Sequence, residues 1–119
     1  MKMYDLKNAE TALQKLVNAD LPIKIAFGLS NVVDAVDEQL RKFEEFRVNL
    51  IKKYGKETEK GFEVQQEHVM TFEKELNELL QLDIDIKDIN PINLDLLENS
   101  SFSIVELKSL QNLGFISTE

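Results

Sequence analysis

The chain has 119 residues, 43% hydrophobic and 30% charged, with a net charge of −8 and no cysteine. This describes one domain with a modest core, without disulfides, thiolate metal sites or thiol nucleophiles. The acidity disfavours general nucleic-acid binding, which sets clustered Lys and Arg against phosphates. One histidine leaves no multi-histidine metal site within a chain, and no apolar run approaches the roughly 20 residues that span a bilayer. The start Met1-Lys2-Met3-Tyr4-Asp5 lacks an apolar signal core, so a cytoplasmic protein is expected.

Asp5 is the expected N-cap of a first helix over 5–18, where Leu6, Ala9, Leu13 and Leu16 recur at three and four residues and Val17 widens the stripe. Asn18-Ala19-Asp20 interrupts the pattern. Proline is favoured at a first helical position, so the long helix is predicted over 22–54. The alternation Leu21, Ile23, Ile25, Phe27 leaves a short strand at 21–27 as the alternative. Gly28 and Ser30-Asn31 form helix weakly. They mark a kink, a helix start capped by Ser30, or a close approach of the first helix at Gly28.

From Leu29 the apolar residues step by four and three through Val33, Val36, Leu40, Phe43, Leu50 and Tyr54, with Arg47 standing where an apolar residue belongs. That is a heptad seam, which a helix hides by lying along another helix. Gly55 is the expected left-handed C-terminal cap, with Lys52 and Lys53 near the negative end of the helix dipole. A polar tip over 55–65 follows, mobile in the main reading; Gly61-Phe62-Glu63-Val64 as one side of a small hairpin is the alternative. The seam resumes at Val69, Phe72, Leu76 and Leu79 in a helix over 66–81, so the fold class is mainly α: a long antiparallel, coiled-coil-like helical hairpin with the first helix at its base.

The remaining residues, 82–119, are expected to fold back over the hairpin as an extended and helical lid. Leu82-Asp83-Ile84-Asp85-Ile86 alternates apolar and acidic, as a half-buried extended segment does. Asn90-Pro91 signals a turn and 93–98 a single helical turn. Ser103-Ile104-Val105-Glu106 is a capping box opening a last helix that Gly114 ends. Leu82, Ile84, Ile86, Leu94, Leu97, Phe102, Leu107 and Leu110 form the lid's apolar side.

Few of these residues suggest chemistry. Asp83, Asp85 and Asp88 resemble the start of a calcium loop, but Ile84 and Ile86 interrupt and no glycine or closing glutamate follows. His68 has no evident partner nucleophile, and Ser100, Ser101 and Ser103 lack nucleophile-elbow glycines. No catalytic residue, metal or cofactor is therefore expected. Arg47 lays its methylenes over the seam, pairs across the hairpin with Glu63, Glu67 or Glu73, or meets a ligand anion. Phe46, Val48, Ile51, Met70 and Leu80 fall off the seam. Helix 1 and the lid cover them, or a second copy does, with Phe46 and Ile51 near the tip as the candidate dimer contact. The last 38 residues hold seven acids and two bases. Asp83, Asp85, Asp88, Asp95 and Glu98 are accordingly the candidate partner-binding face, where exposed charge sets partner choice.

The succession Ala12-Leu13-Gln14-Lys15-Leu16, Leu21-Pro22-Ile23-Lys24-Ile25-Ala26, Leu50-Ile51-Lys52-Lys53-Tyr54-Gly55, Phe72-Glu73-Lys74-Glu75-Leu76-Asn77-Glu78-Leu79-Leu80 and Asp83-Ile84-Asp85-Ile86, closed by a Ser-capped helix, resembles a family of small uncharacterised proteins of tailed bacteriophages and prophages from Gram-positive hosts. The resemblance covers most of the chain and implies origin in an infected host cell, with virion association an option; it carries over no catalytic residues. The expected function is non-enzymatic protein–protein contact, as a virion assembly factor or chaperone or as an inhibitor of a host protein. Its partner would be a phage structural or host protein. The alternative is a weak nucleic-acid-binding accessory protein using the basic residues between Arg41 and Lys60.

Overall fold

The computed structural model describes residues 1–118; Glu119, the end of the expected lid, lies outside the described residues. The fold is mainly α. Helices α1 (Met3–Asn8), α2 (Glu10–Val17), α3 (Ile23–Tyr54), α4 (Val69–Leu80) and α5 (Ile104–Asn112) are joined by strands β1 (Gly55–Thr58), β2 (Gly61–Val64), β3 (Ile92–Asn93) and β4 (Ile116–Ser117). Single 3-10 turns occupy Gln66–His68 and Leu94–Leu97. The 32 residues of α3 rise about 48 Å, which sets the long dimension of 51 Å.

The expected first helix is two, meeting at a turn on the buried Ala9. Asp5 lies inside the first turn and caps nothing; the helix begins at Met3 because the main chain there is already committed. The Met3 N–H donates to the Leu82 carbonyl at 2.9 Å, the Ile84 N–H donates to the Met1 carbonyl at 2.6 Å, and Lys2 bridges Asp83 antiparallel. The alternating segment is thus extended, with Asp83 and Asp85 outward and Ile86 buried. Leu82 is 51% exposed and does not join the lid's apolar side, and Val17 likewise faces out.

Pro22 is extended and sits one position before the helix, its carbonyl accepting the Ala26 N–H at 2.9 Å. The strand alternative at 21–27 falls: Ile23 and Phe27, four apart, are both exposed, whereas Leu21 and Ile25 are half-buried, a helical and not an alternating pattern. The helix runs unbroken through Gly28 and Ser30, so Ser30 caps nothing. Gly55 is not a left-handed cap; at φ −107° it leaves the helix directly into β1. It is glycine because a Cβ would collide with the Ile51 carbonyl oxygen and lie 3.0 Å from that of Glu63. The tip is a hairpin, β1 paired antiparallel with β2, turning at Gly61 with φ +99°.

The antiparallel α3–α4 pair is present, with Phe72, Leu76 and Leu79 half-buried. With 12 residues α4 covers only the distal part of α3; Tyr54 Oη donates to Glu75 Oε1 at 2.8 Å across it. Nearer the base α1 takes over, placing the Lys7 ammonium 6.0 Å from the Phe43 ring centre, and α2 packs beside Val33, Val36 and Leu40. Arg47 forms no cross-hairpin pair: its guanidinium is bound to Glu44 one turn earlier on its own helix.

The lid lies over α2 and the first half of α3 rather than over the α3–α4 pair. Lys15 Nζ on α2 holds Glu106 Oε1 on α5 at 2.8 Å, and the capping box is present, Glu106 N–H donating to Ser103 Oγ at 3.1 Å and Ser103 N–H to Glu106 Oε1 at 2.9 Å. At the other end of α5, Gly114 adopts φ +85°. Phe115 N–H then donates to the Leu110 carbonyl at 2.9 Å and Gly114 N–H to that of Gln111 at 3.0 Å, the paired closure of a Schellman motif. This turn drives Phe115 and Ile116 into the core and lays β4 parallel to β3, a pairing the sequence does not announce.

Candidate functional site

Beside the first half of α3 lies a groove of about 390 Å³. One wall is Ile25, Leu29 and Val32; the other is the segment 88–93, with Leu96 and Phe115 closing the floor. It shares Gly28, Val32, Asp88 and Asn90 with a second hollow of about 510 Å³ reaching Asn31, Ala35, Asp85 and Lys87. The larger hollow between α2 and 96–102, about 700 Å³, is lined mainly by polar side chains such as Thr11, Gln14, Asp20 and Asn99.

The segment 86–92 is held at both ends and lifted between them. Ile86 and Ile92 are buried, and the Ile92 N–H donates to the Phe115 carbonyl at 2.9 Å. Between them Asp88 takes φ +63°, the only positive φ among the described non-glycine residues. Its carbonyl accepts from the Asn90 side-chain amide at 3.4 Å. Left-handed backbone is costly for L-residues and is concentrated at binding sites.

Gly28 lies on the α3 wall of the groove. A glycine inside a helix costs about 1 kcal/mol relative to alanine, and glycine here serves no internal contact, because an added Cβ would meet nothing within 4 Å. The close approach of the first helix at this glycine, one of the sequence-based expectations, is therefore absent. What the missing side chain does is leave the groove open along α3. Around the rim, Lys24, Asp85 and Asp88 form no ion pair or side-chain hydrogen bond among the described residues.

The five candidate partner-binding carboxylates are exposed but do not form one face. Asp85 and Asp88 line the groove system. Asp83 sits at the bridge to Lys2, and Asp95 and Glu98 border a separate hollow with Leu107. Phe46 is 59% exposed while Ile51 is half-buried, and five residues on a helix separate them by about 140°, so they do not share one patch. The largest apolar exposures lie elsewhere: Met70 at 85%, Ile23 at 82%, Ile104 at 74%, Val105 at 73% and Phe27 at 71%. Sequence reasoning missed Lys24 and Phe27, although Ile23 and Phe27, off the stripe and one turn apart, were visible in it.

Two other groupings bring charged or aromatic side chains together. Arg41 is bound to both Glu38 and Glu45, and Arg47 to Glu44; the arginine hydrogen bonds hold Glu38 and Glu44 below the usual carboxylate range. These arginines are thus satisfied within their own helix. At the distal end the His68 and Tyr54 ring centres lie 5.7 Å apart, and Glu75 Oε2 is buried without a hydrogen-bond partner among the described residues. Among the described residues no three His, Cys, Asp or Glu side chains are grouped to hold a metal ion, and no helix is long and apolar enough to cross a membrane. Comparison of the chain with protein-family models, curated proteins and solved structures finds no significant match.

Proposed function

We propose that this chain acts by non-covalent contact with another protein, without chemistry of its own, and that the groove beside α3 is where contact is made. The carrying observation is Gly28, which weakens α3, serves no internal contact and opens an apolar trough. A bulky apolar side chain of a partner fits over it. Asp85 and Asp88 offer unpaired carboxylates to basic residues on that partner, and charge of this kind sets on-rate and selectivity more than affinity. With the phage resemblance of the sequence, the partner we propose is a virion protein or a host protein.

The test is capture of a partner on immobilised protein from infected and uninfected host extract. Reversing Asp83, Asp85 and Asp88 to lysine, or filling the groove with Gly28→Leu, is expected to abolish capture without lowering the melting temperature. Capture that survives Gly28→Leu refutes the groove as the docking site. Titration with duplex DNA across salt concentrations tests the nucleic-acid alternative, which requires affinity falling steeply with salt.

A further inference from the structure

We infer that the groove is occupied, in the isolated protein, by a second copy of this chain, with Phe27 of each copy seated over Gly28 of the other. This rests on the groove being a docking site and names its first occupant. A two-fold interface joins a surface patch to itself, so the patch must carry both members of every complementary pair. This one does. Phe27, 71% exposed, stands on the edge of the groove, about 100° around α3 from Gly28, above which space is empty. Lys24 and Asp88 both border the groove and neither has a charged partner among the described residues, so a two-fold supplies each with the other's opposite charge.

The scale is that of a transient contact. Two Phe27 rings, at about 150–250 Å² each, supply a centre, and the stretch of α3 from Lys24 to Ala35 along the groove spans about 18 Å. Such a patch is smaller than a standard specific interface, so weak association, at high micromolar concentration, is expected.

Sedimentation velocity from micromolar to submillimolar concentration reads the outcome on the full chain. The wild type is expected to dimerise, and Phe27→Asp and Gly28→Leu each to be monomeric throughout. Lys24→Asp and Asp88→Lys are each expected to weaken the dimer about tenfold, and the double variant to recover most of the loss; a fold defect does not reverse in that way. A wild type that stays monomeric overturns the inference. So does a dimer indifferent to Phe27→Asp, or one broken by Phe46→Asp instead. A monomeric wild type whose partner capture is still lost in Gly28→Leu sinks this inference alone, whereas capture retained by Gly28→Leu sinks the docking reading beneath it.

Discussion

Replacing Gly28 with alanine should make the protein more stable. The position lies well inside α3, where alanine is favoured over glycine by about 0.8–1.0 kcal/mol. No atom stands within 4 Å of the new Cβ, so no steric term opposes the gain. Unfolding entropy of about 2.1 cal/mol/K per residue gives about 250 cal/mol/K for a chain of this length, so the melting temperature should rise by about 3–4 °C. Thermal denaturation followed by circular dichroism measures it, at low micromolar protein so that self-association contributes little. Gly55→Ala is the internal control: its Cβ meets backbone on two sides, and overpacking of that kind costs about 1–3 kcal/mol. If Gly28→Ala is neutral or destabilising, α3 needs its glycine for internal reasons, and the case for an open docking groove collapses.

Phe115→Ala should cost about 3–5 kcal/mol, since the ring is 1% exposed and anchors both β4 and the groove floor; a loss below about 1 kcal/mol in urea titration would contradict that placement. Asp88→Gly should stabilise by up to about 1 kcal/mol by relieving left-handed backbone, and a loss of stability would show that the aspartate holds the loop. Glu106 is held below the usual carboxylate range by the Lys15 ammonium and then by the Ser103 N–H, as Glu38 and Glu44 are by their arginines. A depressed folded-state pKa contributes stability above the unfolded value of about 4.3 and loses it as pH falls through the folded value. The urea midpoint should therefore drop below about pH 4, and Glu106→Gln should remove part of that slope; a midpoint flat from pH 6 to 2 would refute the pairing.

By itself the sequence determined the helices and their partnership. The heptad steps from Leu29 to Tyr54 and from Val69 to Leu79 require two helices lying together. The capping box at Ser103 and the stop at Gly114 are local chemistry, legible because capping is satisfied within a few residues. Alternation at 82–86 likewise marked an extended segment. Tertiary structure alone decided where long-range partners lie. The parallel β3–β4 contact joins two strands of two residues each, too short to leave a period. The break at Ala9 and the start at Met3 follow the N-terminal bridge to Asp83, a partner some 80 residues distant in sequence that no capping pattern names. The meaning of Gly28 was likewise hidden: a weak helix former is visible in one dimension, but whether the space over it is filled or empty depends on where the segment 88–93 returns, and that is set by Phe115 and Ile92 packing against α3 from the far end of the chain.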